Sequence, residues 1–184
     1  MPKKTALLSL ILTSLLFAQD APPEVIETGE KVSAELLKKL GSRLKQEIDT
    51  NGLLSAAEFC NTNALTLTEE VNLHQLEGTS VKRTSLKERN SANAALEDEK
   101  STLIFMQKML KKKKLPAYII THENKTYKYY KPLIINKQLC LSCHGNISKN
   151  FQLSQFMQEH YPEDKATGYR MGELRGAIIV EIKE

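Results

Sequence analysis

The sequence predicts an α+β chain. Helical periodicity opens it, β-branched and aromatic runs bounded by turn residues follow, and 184 residues at 41% hydrophobic and 26% charged suit one domain with a real core. A second full domain does not fit that length.

The elements follow in order. Met1-Pro-Lys-Lys4, an apolar run from Ala6 to Phe17 and a small residue at Ala18 read as a secretory signal peptide over residues 1–18, cleaved near Ala18. The run is shorter than the roughly 20 apolar residues that a spanning helix needs. The expectation is a periplasmic protein, a single domain over 19–184, and no integral membrane segment once processed. Removing Lys3 and Lys4 lowers the formal charge from +4 to +2, too weak a basic bias for nucleic acid.

From Gly29 to Asp49 the residues Val32, Leu36, Leu37, Leu40, Leu44 and Ile48 recur at helical spacing. Asn51-Gly52 stops that helix, and a second places Leu53, Leu54, Ala57, Cys60, Ala64 and Leu67 near one face, so Cys60 points inward. Thr79 to Leu86 suits a strand, Lys87 to Ala95 a loop, and Glu97 to Lys114 a helix ending in four lysines that suit its C-terminal dipole. Two strands, Ala117 to Thr121 and Thr126 to Asn136, flank a turn at Glu123-Asn124-Lys125. Phe151 to Tyr161 is helical, Pro162 to Met171 a turn-rich connection, and Leu174 to Ile182 a closing strand.

The chemistry lies in Cys140-Leu-Ser-Cys143-His144. Two thiols separated by two residues reach the two vinyl groups on one edge of a porphyrin, and the adjacent imidazole then meets the iron. A zinc site would need a second ligand pair at motif spacing, and a thioredoxin-like dithiol would precede a long helix in a βαβ setting. The spacing therefore predicts one covalently attached haem c, held by Cys140 and Cys143 with His144 on the iron. Apolar and aromatic residues beside the motif, Tyr129, Tyr130, Leu133, Ile135 and Leu139, are candidates to cover the macrocycle or to be plain core.

The other axial position has several chemical candidates: His74, His122, His160, the methionines and Cys60. Three cysteines are an odd number for an exported chain, so Cys60 needs an explanation. Two stand on the residues alone: a thiolate ligand to iron, or a small buried apolar side chain. Arg83 and Arg89 are candidates to pair with haem propionates, against the commoner reading of solvated charges.

Several ordered motifs resemble one family. Val81-Lys-Arg-Thr-Ser-Leu-Lys-Glu-Arg-Asn90, Tyr129-Tyr-Lys-Pro-Leu133, the Cys140 to Gly145 motif, Tyr161-Pro-Glu-Asp-Lys-Ala-Thr-Gly-Tyr169 and Gly172-Glu-Leu-Arg-Gly176 are similar to the PAS-like c-type haem domains. These occur as stand-alone exported proteins and as extracytoplasmic sensors of histidine kinases. The resemblance implies a PAS-like antiparallel sheet flanked by helices, with N-terminal helices packing on the haem. It also implies an axial pair of the motif histidine and a helix cysteine, here His144 and Cys60. The chain departs from the pattern in having Ser91 where a proline is usual and Asp98-Glu99 where a Trp-Glu pair is usual.

A thiolate stabilises ferric iron and leaves more readily on reduction, which makes an on/off element. The expected function is an exported mono-haem c-type cytochrome that senses redox state or a diatomic gas and signals to a separate protein partner, since nothing follows Glu184 here. The alternative is a periplasmic electron-transfer cytochrome, which would keep both ligands in both oxidation states. A haem enzyme such as a peroxidase has less support: it needs an open iron position and a distal acid-base group, and sequence does not place Arg89, Arg170 or Arg175 over the iron.

Overall fold

The computed structural model describes residues 21–184, so the signal peptide expected over residues 1–18 lies outside the described residues. The first element, α1 (Pro23–Asn72), begins with a proline in its first turn, where no intrahelical N–H partner is lost and φ is already set for a helix. Its 50 residues are two arms, because Gly52 has φ 86° and ψ −178°, a left-handed conformation that glycine adopts without Cβ strain. The arms fold back on one another: Lys39 pairs with Glu70 at 2.8 Å, and the Arg43 guanidinium lies 5.6 Å from the Phe59 ring centre. Asn51-Gly52 thus divides two helices as the sequence predicts, although the first starts six residues before Gly29, at Pro23.

Four strands form one antiparallel sheet in the order β1-β4-β3-β2: β1 (Thr79–Thr84), β2 (Ile119–Glu123), β3 (Thr126–Ile134) and β4 (Leu174–Lys183). The β2–β3 hairpin turns through Asn124 and Lys125 at φ 50° and 59°, the pair of positive values that a two-residue turn matching strand twist requires. Pro132 sits in β3 beyond the last residue that β2 pairs, so its missing N–H interrupts no ladder on that side.

Both faces of the sheet are covered. On one, α1 brings Val25, Val32, Leu36 and Val71 onto Val81, Ile120, Tyr129, Ile178 and Val180. Gly29 permits that approach, since a Cβ there would stand 2.3 Å from the Tyr129 ring. On the other, α2 (Glu97–Lys111) lays Leu103 and Met106 on Ile119, Tyr130, Ala177 and Ile179. Covering on both sides explains why β4 reads Ala-Ile-Ile-Val without alternation.

The start of α2 is fixed by Glu99, whose fully buried carboxylate accepts from the Leu96 N–H at 3.1 Å and the Thr84 hydroxyl at 2.7 Å, with Lys82 at 2.6 Å. The helix stops at Lys111, three residues before the predicted Lys114. Lys113 is left-handed at φ 56°, and the Lys114 N–H closes back onto the Met109 carbonyl at 2.9 Å, a common helix ending.

After Leu133 the ladder slips by one residue, and the chain leaves the sheet through Ile135 toward two short helices, α3 (Gln138–His144) and α4 (Phe151–His160). The Asn150 side chain accepts from the Leu153 N–H at 3.1 Å and so starts α4. Among the described residues no helix is long and apolar enough to cross a membrane.

Candidate functional site

Cys140, Cys143 and His144 lie on the two turns of α3. Cys140 and Leu141 pack against Ile135, Ala166 and Tyr169, while Cys143 packs with Leu53, Leu54 and Ala57 of the second α1 arm and with Leu153, Phe156 and Met157 of α4. The motif is therefore wedged between the connection that follows α4 and the second arm of α1.

That connection holds the imidazole. His144 Nδ1 lies 2.9 Å from the Ala166 carbonyl, and a carbonyl only accepts, so Nδ1 carries the proton and Nε2 keeps its lone pair. Tyr169 N–H donates to the His144 carbonyl at 2.9 Å, Gly168 N–H to the Gly145 carbonyl at 3.0 Å, and the Tyr169 ring stands edge-on at 6.2 Å from the imidazole. Burial, then the charges of Arg175 and Arg89, pull the His144 pKa down to about 3, so the ring is neutral and a lone-pair donor.

Arg89 locks the same loop in place. Its Nε pairs with Asp164 at 2.9 Å and its Nη2 donates to the Cys143 carbonyl at 2.7 Å, with the side chains only 13% and 9% exposed. Asp164 also accepts from the Ala166 N–H at 2.7 Å, so one carboxylate positions the residue whose carbonyl orients His144.

Cys60 comes from the second α1 arm, one turn beyond Ala57. It lies close enough to Cys143 for a negative charge on its sulfur to raise the Cys143 thiol. Burial pushes the Cys143 thiol up to about 11, with Arg89 opposing and the two other cysteines adding. Cys60 is also raised by burial, and the charges of Arg83 and then Arg89 pull it back. The Tyr161 hydroxyl, raised by burial and next by Cys60, belongs to the same group.

The structure thus gathers Cys60, Arg83, Arg89, Cys143 and His144. Tyr129 and Tyr130 point to opposite faces of the sheet, into the α1 and α2 packing layers, and Leu133 packs beside the first. Ile135 packs with Cys140 and Leu141, and Leu139 is 43% exposed. The other histidines stand elsewhere: His74 at the end of α1 near the Glu70 carbonyl, His122 on β2 paired with Glu184 at 3.0 Å, and His160 against Phe156 at the end of α4. Asp164, Ala166, Tyr161 and Tyr169 had no assigned role in the sequence, although all lie in its Tyr161–Tyr169 motif.

The donor set fits an attached haem. Two thiols sit three residues apart on one short helix, an anchored imidazole has a free Nε2, and a third thiol on the facing helix is near enough to act electrostatically on Cys143. A buried guanidinium nitrogen, Arg83 Nε, has no hydrogen-bond partner there.

No curated protein matches this chain. Among solved structures, the crystal structure of the cyanobacterial haem protein Tll0287 matches with a TM-score of 0.66 at 21% identity, covering 89% of this chain and 98% of that one. That likeness shows the shared fold, an α+β arrangement with a four-stranded antiparallel sheet flanked by helices. The family model described as Tll0287-like matches residues 17–183, and the chain accordingly belongs to the Tll0287-like family.

Proposed function

We propose that this chain is an exported, periplasmic mono-haem c-type cytochrome that senses redox state or a diatomic gas. Cys140 and Cys143 would carry the haem through thioether bonds, and His144 and Cys60 would be its axial ligands. The observation that carries the reading is the Nδ1-anchored His144 beside Cys143 on α3, with the Cys60 sulfur of the helical hairpin near enough to act on Cys143. Family membership and the solved haem protein of the same fold support it.

When bound, a haem would supply a one-electron couple and an iron that takes soft or gaseous ligands. The chain's own residues account for the rest. Ala166 fixes the tautomer and direction of His144, Arg89 and Asp164 fix Ala166, and Leu153, Phe156 and Met157 keep water from Cys143. Cys60 is carried by a different element from His144, so loss of the sulfur ligand would free one helix arm while the Ala166, Arg89 and Asp164 contacts behind His144 stay in place. A sensor needs that asymmetry to turn ligand exchange into a change of shape.

The test is the ferric optical and EPR spectrum of protein matured with a cytochrome assembly system, wild type against Cys60→Ala, with haem staining after denaturation. The expected result is stain retained in both and a low-spin thiolate signal in wild type alone. Identical spectra remove Cys60, and loss of stain removes covalent attachment. Ferrous protein that keeps both ligands and excludes CO and NO would make it an electron carrier.

A further inference from the structure

Arg83 is a half-buried cation without an anion. It lies on β1, and its Nε is shielded from solvent with no hydrogen-bond partner. Of its donors only Nη2 finds an acceptor, the Ala64 carbonyl at 3.5 Å, the outer edge of a hydrogen bond. Among the described residues no carboxylate is ion-paired to it, whereas Arg89, its neighbour in this site, is matched by Asp164. A guanidinium left so poorly paired costs free energy unless something else supplies negative charge.

The anion is to be sought on the second α1 arm. Ala64 follows Cys60 by four residues, so the two share a helix face and Arg83 reaches in one turn beyond the sulfur. Cys60 and Arg83 also lie near enough for the charge of each to act on the other. We propose that Arg83 is the counter-cation of the Cys60 sulfur, a positioning residue that holds the thiolate toward the haem site, and not a partner of a haem propionate. The assignment rests on the ligation reading above. A propionate can find charge balance in water, while the half-buried Cys60 sulfur lies on the helix arm that Arg83 already reaches through Ala64, and Arg83 Nε is shielded from solvent there.

The experiment uses matured holoprotein with Arg83→Gln, which keeps N–H donors without charge, and Arg83→Lys, which keeps charge without the fork. Far-UV circular dichroism and haem stain check folding and loading of each. Ferric EPR then gives the ratio of thiolate-ligated to other species. Arg83→Gln is expected to lower it by about tenfold, the order of one charge-assisted hydrogen bond, and Arg83→Lys to restore most of it. The midpoint potential is measured for Arg83→Gln in both the native and the Cys60→Ala backgrounds, and its effect is expected to be much smaller in the second.

A thiolate signal unchanged in Arg83→Gln overturns the assignment, and so does a potential shift of equal size in both backgrounds, which would mean a propionate. Should Arg83→Gln fail to fold, a thiolate signal in Arg83→Lys as low as that of Cys60→Ala also overturns it. A wild type without the thiolate signal removes the ligation reading itself, which separates that failure from a failure of Arg83.

Discussion

Replacing Arg89 by leucine tests how the loop behind His144 is held. The side chain makes an ion pair with Asp164 at 2.9 Å and a hydrogen bond to the Cys143 carbonyl at 2.7 Å, and with 13% and 9% exposure the pair is close to fully enclosed. Removing one partner of a buried pair costs about 3–5 kcal/mol because the other charge stays behind, and the residual exposure argues for the lower end, about 3 kcal/mol. For a chain of this length that corresponds to a Tm lower by about 6–12 °C. Asp164→Asn keeps the acceptor for the Ala166 N–H but removes the stranded charge, so Arg89→Leu/Asp164→Asn should recover more than half of the loss. The deficit that remains should be about 1 kcal/mol for the unpaired Cys143 carbonyl. Urea and thermal melts of the holoprotein, followed by circular dichroism, measure all three variants. A single mutant within about 0.5 kcal/mol of wild type would refute the reasoning, and so would a double mutant no better than the single.

Two further outcomes are expected. In Gly29→Ala the new methyl would stand 2.3 Å from the Tyr129 ring, so α1 must retreat from the sheet. Despite the roughly 1 kcal/mol that alanine gains in a helix, urea melts should show a net loss, overpacking costing about 1–3 kcal/mol. For Asp98, burial pushes the carboxyl up, but the hydrogen bond and charge of Lys128, 2.6 Å away, outweigh it and hold the group below its ordinary value. A carboxylate depressed in the folded state stabilises above its unfolded pKa, and that contribution disappears as pH falls through the folded value. Stability should therefore decline from near pH 4 downward less steeply in Asp98→Asn than in wild type, and equal slopes in acid-titrated melts would contradict the pairing.

Much of the architecture was legible because it is written in short-range signals. Asn51-Gly52 announces the reversal of α1, Asn124-Lys125 the hairpin, and the two-residue cysteine spacing with an adjacent histidine singles out α3 as the candidate site. Helix α3 itself was not foreseen as a helix: seven residues, none fully buried, carry no amphipathic period to read. The part of α1 before Gly29 is not legible because Glu-Val-Ile-Glu-Thr is weakly periodic. The role of Arg89 was beyond sequence reading for a different reason. Its partners stand 54 and 75 residues away, and only the docking of the loop after α4 onto α3 brings them together. Tyr129 and Tyr130 are candidates for haem contact or plain core by adjacency to the motif, and as consecutive strand residues they face opposite ways, each in a different packing layer.

The two ends of the helix arm that bears Cys60 are held differently. At Asn72 the side chain donates to the Val81 carbonyl at 3.0 Å and accepts from the Val81 N–H at 2.6 Å, which bolts the arm to β1 two residues from Arg83. At Gly52 nothing lies within 4 Å of where a Cβ would be, and the backbone there is the only non-helical residue of the run. A rigid rod pivoted where it is tethered moves most at its far end, which here is Gly52. Under the sensing proposal, release of the Cys60 sulfur would therefore tilt the arm about Asn72, and the displacement would be felt where Leu53, Leu54 and Ala57 rest on α4, far from the sheet and its two packed layers. The sheet supplies the fixed frame and the hairpin the movable part, which is how one chain could hold a prosthetic group firmly on the histidine side while leaving the cysteine side free to respond.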